Sequence, residues 1–253
     1  MTALGIASIV FAGALCAGLL GSMLHAKLPE HHLRSGTTDV VKLVMGLIAT
    51  ASALVLGLLI ASAQSSYKTQ KDDIEKIAAD IVEIDRLLAF YGPETQDARV
   101  LLREGVKSVD DAVWGTDSVR IGDLDPVRTR VQSNRFAVTV MSLTPKTDIQ
   151  RMVIGQVVQL ALNVAQLRLL LFEQVGGSIS PPFVILLISW ITVLFLGFGL
   201  LSDFNSTVIV TFAVGALSVS AAIFVILQLD APYSGLIRLS DAPLREALAQ
   251  MGQ

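Results

Sequence analysis

The 253-residue sequence is poor in the residues from which polar chemistry is built. It has one cysteine, Cys16, which excludes an internal disulfide and any cysteine-based metal cage. Charged residues make up 16% of the chain, against about 25% in average soluble domains. Lys and Arg number 19 and Asp and Glu 22, for a net charge of −3. That balance leaves no basic footprint for phosphate, so nucleic acid is excluded as a partner. No HExxH, phosphate-binding Gly-rich loop or nucleophile elbow occurs. The sequence therefore reads as a non-enzyme, with no cofactor and no metal site implied.

Apolar residues are what it has in excess: 53% of the chain, with a mean hydropathy of +0.64. They concentrate in four runs, about 3–24, 41–63, 182–201 and 207–228, which carry no charge except Lys42 at one edge. Each is long enough to span a bilayer, which takes about 20 residues at 1.5 Å per residue. The first run is read as a retained helix, because Met1 to Phe11 lacks the basic start of a signal peptide. Leu15 directly before Cys16 is also wrong for lipoprotein cleavage.

The polar stretches between the runs read as helices. From Gly57 to Phe90 there is no Gly or Pro, and Tyr91-Gly92-Pro93 then supplies a stop. Ile74, Ile77, Ile81, Ile84 and Leu88 keep helical spacing. With Thr38 or Asp39 as N-cap, residues 39–91 form one helix of roughly 80 Å, half of it outside the bilayer. Further helices are expected over 94–113, from Asp125-Pro126, from Thr144-Pro145 to Gly176-Gly177, and over 242–249. Gly115 to Asp125 reads as a loop.

The expected fold is all-α: an integral membrane protein with four transmembrane helices and a helical extramembrane domain between the second and third. Residues 1–65 form one transmembrane hairpin, 66–178 the extramembrane domain, 179–229 the second hairpin, and 230–253 a tail with a short amphipathic helix. Basic residues flank the domain side six to three, with Lys68, Lys71, Lys76, Arg168, Arg238 and Arg245 against Lys27, Arg34 and Lys42. This bias places the N-terminus, the domain and the tail in the cytoplasm.

Two stripes bear on function. In the second run Ala49, Ala53, Gly57 and Ala61 recur every four residues with Gly46 and Thr50 nearby, and Gln64 follows at the inner mouth. Such a stripe packs helices closely or lines a pore with room for an ion. Over 146–174, Gln156, Gln159, Asn163 and Gln166 form one amide stripe on an otherwise apolar helix. Amides avoid hydrocarbon neighbours, so the stripe faces a vestibule, a subunit contact or open water. The spans hold no acidic or basic group inside them, which weighs against a proton-coupled carrier. A passive channel, gated by dewetting or lined by hydroxyls, stays open, as does a non-conducting sensor or scaffold whose helical domain binds a ligand or partner. Glu30-His31-His32 reads as a solvated loop. Asp72-Asp73 and Asp110-Asp111 read as solvated helix faces, and Arg86, Arg99 and Arg103 as surface ion-pair partners of Asp85, Asp97 and Glu104.

After the fourth run comes Asp230, then Pro232-Tyr233, Gly235 and Pro243-Leu244-Arg245. This ending resembles that of a bacterial bestrophin-like membrane family of unknown function. Gly57-Leu58-Leu59-Ile60-Ala61-Ser62-Ala63 and Asp85-Arg86-Leu87-Leu88-Ala89-Phe90-Tyr91-Gly92-Pro93-Glu94 also resemble segments of that family. Bestrophins proper are pentameric anion channels with a pore lined by the second span. The resemblance thus implies a self-associating channel, a pentamer as in bestrophins proper, in the bacterial inner membrane and passing small inorganic ions, anions first. Thr50, Ala53, Gly57, Ala61 and Gln64 would line the pore. Two departures stand against it: the aromatic-rich neck and the acidic run of the calcium clasp are both missing.

Overall fold

The computed structural model describes residues 2–27, 35–114, 126–174, 180–230, 232–233 and 236–251. Every regular element among them is helical: α1 (Ala3–His25), α2 (Ser35–Tyr91), a 3₁₀ turn (Pro93–Thr95), α3 (Gln96–Trp114), α4 (Pro126–Met141), α5 (Asp148–Gln174), α6 (Pro181–Leu200), α7 (Ser206–Leu229) and α8 (Ala242–Gln250). The Gly115 to Asp125 loop, the Gly176-Gly177 stop, Glu30-His31-His32 and Gly235 lie outside the described residues.

The ends of these helices follow from local chemistry. Thr2 caps α1 by accepting from the Gly5 amide, and Asn205 caps α7 by accepting from the Val208 amide. Proline stands in the first turn of α6 and of α8. α2 runs unbroken as expected, but it starts at Ser35, so Thr38 and Asp39 are inside it and are not its cap. α5 likewise starts later than Pro145. Thr147 Oγ1 accepts from the Gln150 amide, and Gln150 Oε1 reaches back to the Lys146 amide at 2.8 Å. Two orphan donors are thereby satisfied reciprocally, as in a capping box. α2 ends at Gly92, whose φ of +136° is open to glycine alone at low cost. The Thr95 hydroxyl then donates to the Leu88 carbonyl at 2.6 Å.

Among the described residues five helices are long and apolar enough to cross a membrane, one more than the sequence reading counted: α1, α2 from Thr38, α5 over Asp148–Leu171, α6 and α7. α5 is the addition. Its hydropathy is 1.4 where the other four reach 2.3 to 2.6. The amide stripe and its charged residues masked its apolar content in a count by uncharged runs.

The chain divides into two compact units. The first holds Met1–Ser66 and Gly177–Ala231. Its α1 packs against α6 and α7 through a face of small residues, Ala7, Ala14, Ala17, Gly18, Gly21 and Ser22, all buried. A side chain at Gly21 would strike the Leu196 carbonyl, and one at Gly199 the Gly18 carbonyl. Backbones meet directly there, as small-residue packing between apolar helices allows. Ser220 Oγ donates to the Ala7 carbonyl at 2.7 Å, a buried bond from α7 to α1. His25 Nδ1 lies 2.8 Å from the Leu200 carbonyl, and Nε2 3.3 Å from Asp203.

The second unit holds Tyr67–Gly176 and Pro232–Gln253. Two apolar clusters build it. One joins Ile74, Ile77 and Ile81 of α2 to Val106 of α3, Leu171 of α5, and Leu239, Leu244 and Ala247 of the C-terminal segment. The other joins Ile84 and Leu88 to Ala98, Phe136, Val140, Val153 and Val157. The apolar stripe of α2 is buried along its length in these two clusters.

Candidate functional site

Thr50, Ala53, Gly57, Ala61 and Gln64 lie on one exposed face of α2. A side chain added at Gly46 or Gly57 would meet open space. The opposite face, with Met45, Ser52, Leu59 and Ala63, is buried; Met45 seats against Gly197 of α6. Beside the small-residue face runs a second exposed row, Leu43, Leu47, Leu54 and Leu58, each more than 60% exposed. The Thr50 hydroxyl donates to the Gly46 carbonyl at 2.9 Å, which leaves its lone pairs outward. Close backbone packing inside this unit falls on Gly18, Gly21 and Gly199 instead. Those residues were missed by a reading that followed period-four stripes in α2; Gly18 and Gly21 in the first run carried the same signal.

Gln156, Gln159, Asn163 and Gln166 share an exposed face of α5. Asn163 Nδ2 donates to Asp80 of α2 at 2.6 Å, so that member is fixed to the second unit. Asp230 forms the C-cap of α7, and its amide donates back to the Ile226 carbonyl. Pro232 is buried, and its carbonyl accepts from the Leu239 amide at 2.8 Å. Tyr233 stands edge-on to Trp114, with ring centroids 6.5 Å apart. Trp114 Nε1 donates to the Leu239 carbonyl at 2.9 Å.

Two of the expected surface acids are buried, which corrects the solvated reading: Asp73 and Asp110 are 6% and 8% exposed. Asp85 is also buried, and Arg99 binds it with two 2.8 Å bonds in fork geometry, Nε to Oδ1 and Nη2 to Oδ2. These bonds hold the Arg99 guanidinium firmly charged, its pKa raised. Asp110 faces Arg245 of α8 at 3.7 Å, and Arg245 in turn binds Asp241 at 2.6 Å. Burial pushes the Asp110 carboxyl up, against the pull of Arg245. Helical period alone does not say that α8 covers this part of α3.

The second unit contains a cavity of about 380 Å³ between its two apolar clusters. Ile74, Ile77, Ile81 and Ile84 of α2 form one wall, and α3, α4 and α5 the others. Polar groups on the lining are few: Asn134, Trp114, Arg168 and Tyr233. The Tyr233 hydroxyl is buried with no hydrogen-bond partner among the described residues. Burial, then the nearby Asp73 charge, push its pKa up, so it stays a protonated donor.

A family model for the bestrophin-like domain matches residues 12–244. Among solved structures the chain is similar to a bacterial bestrophin homologue from Klebsiella pneumoniae in two single-substitution variants. Identity to them is 14% and 12%, with TM-scores of 0.70 and 0.71. The likeness covers 96% and 97% of this chain, and 99% and 98% of those chains. A further crystal structure, of a membrane protein, matches at 14% identity, TM-score 0.70, over 96% of this chain and 99% of its own. At these identities the likeness is one of fold. A comparison with curated proteins gives no match.

Proposed function

Because the chain belongs to the bestrophin-like family, we propose that it forms an oligomeric membrane channel for small anions, with a pore lined by the small-residue face of α2. The observation that carries this reading is the exposure of Thr50, Ala53, Gly57, Ala61 and Gln64 on an apolar helix whose opposite face is packed. Among the described residues no group beyond its own helix backbone lies within 4 Å of a side chain placed at Gly57, so that close-approach residue is not packed against them. Copies of α2 around a common axis would give the small face a lumen and the adjoining Leu row a neighbouring subunit. Bestrophin kinship favours a pentamer in the bacterial inner membrane.

In this reading α1, α2, α6 and α7 cross the bilayer and α5 does not. The C-terminal segment packs in the same cluster as α2, α3 and α5. Four crossings put both parts of that unit on one side of the membrane, whereas a fifth through α5 would pull them apart. Basic residues favour the cytoplasmic side for it, with Gln156, Gln159 and Gln166 facing a vestibule or a neighbouring subunit.

Substituted cysteines test the pore face. In a Cys16→Ser background reconstituted into vesicles, Ala53→Cys and Gly57→Cys are expected to lose halide flux on treatment with a charged thiol reagent, while Leu47→Cys keeps it. Equal insensitivity at all three positions would remove α2 from the pathway. The cavity in the helical unit favours a second reading, a non-conducting sensor whose ligand enters that unit. A folded oligomer without flux would leave the sensor standing.

A further inference from the structure

We propose that the cavity of the helical unit binds a long-chain carboxylate, its hydrocarbon tail lying between the two apolar clusters and its head held by Arg168 and Tyr233. The site holds whether or not the chain conducts. Protein interiors pack close to crystal density, with few voids larger than a water molecule. A cavity of about 380 Å³ is within the size range of built ligand sites, which are mostly apolar with a few placed polar groups.

The lining dictates the ligand class. Its walls are aliphatic along α2, α3 and α5, so a ring studded with polar groups would leave them unpaired there. A flexible hydrocarbon chain has no such groups. Arg168 stands one helical turn before Leu171, and Leu171 belongs to the cluster against which Tyr233 packs. A cation and a hydroxyl donor thus both border the apolar slot. The Tyr233 hydroxyl is buried without a partner among the described residues, although buried polar groups are almost always bonded. An anion with two acceptor oxygens suits both donors, since a guanidinium takes a carboxylate in fork geometry. Side chains from a second copy, inserted past the exposed Met141 and Leu162 at the rim, are the other occupant that the test separates.

The full chain in nanodiscs of saturated phospholipid provides the test, read by tryptophan fluorescence. Trp190→Phe leaves Trp114, on the cavity wall, as the one tryptophan. Titration with dibromostearate is expected to quench Trp114 saturably. Stearate should reverse the quenching and stearyl alcohol should not. Ala161→Phe, which fills the cavity from α5, is expected to abolish saturable quenching while the helical circular dichroism stays unchanged. Arg168→Gln and Tyr233→Phe should each weaken binding about tenfold, the loss of one hydrogen bond to a charged group. Quenching that never saturates, that stearyl alcohol reverses equally, or that survives Ala161→Phe would overturn the site. If Ala161→Phe fails to fold, the Arg168→Gln affinity and the stearate-to-alcohol comparison decide alone. Absence of saturable quenching would assign the cavity to a neighbouring copy's side chains.

Discussion

Arg99 holds Asp85 in a two-bond fork where the carboxylate is nearly excluded from water. Removing one member of such a pair strands the other, at a cost of several kcal/mol. Arg99→Ala is expected to destabilise the helical unit by about 3 kcal/mol, whereas Asp148→Ala, which loses an exposed pair with Arg151, should cost under about 1 kcal/mol. Chemical denaturation of both variants checks the contrast. Asp110 works in the opposite sense. Its folded pKa is raised above the unfolded value, chiefly by burial. The native state then holds the proton longer than the unfolded one, so stability falls as pH rises from the ordinary carboxylate value through the raised one. Asp110→Asn should flatten that fall and raise stability at neutral pH by on the order of 1 kcal/mol, seen as a higher Tm at pH 7 and little change below pH 4. The sequence showed these acids only as polar members of helix faces. Asp85 is covered where α2 meets Arg99 of α3, and Asp110 where α3 meets Arg245 of α8, which no local pattern encodes.

Element boundaries were legible where backbone chemistry is local. The outer half of the long helix Ser35–Tyr91 could be traced because no Gly or Pro follows Gly57 until Gly92. Gly92 itself is required by its positive φ, and Gly92→Ala is expected to cost about 2 kcal/mol in backbone strain, read as a lowered Tm with helical content retained. The start of α5 was misplaced because Thr144-Pro145 looks like an opening, while the cap that forms is Thr147 with Gln150. The count of helices apolar enough to span left out α5 for a related reason: hydropathy averaged over a window and a search for uncharged runs weigh its amides differently. Between α1 and α6 the backbones touch at Gly21 and Gly199. Gly199→Val would have to push the helices apart, and overpacking of this kind costs about 1–3 kcal/mol. It should lower the Tm of the detergent-solubilised protein more than Gly57→Val, whose side chain enters open space.

At the scale of the whole molecule, the C-terminal segment is part of the helical unit and not a loose end. Leu239, Leu244, Ala247 and Met251 are buried with α2, α3 and α5, and Arg103 donates to the Met251 carbonyl at 3.0 Å. The amphipathic pattern of 242–249 gave the helix but not its partner, because α8 finds its core across more than 100 residues of chain. Family membership was legible because Asp230, Pro232 and Tyr233 close the last apolar helix and anchor this segment through Leu239. The small-residue face of α2 is exposed among the described residues, and the proposed pore lies along it. Halide flux through vesicles holding the purified protein, compared with Gly57→Trp vesicles of equal protein content, tests that placement most directly. Flux above protein-free vesicles is expected, and Gly57→Trp should remove it while the oligomer elutes unchanged. Undiminished flux through Gly57→Trp would contradict the placement.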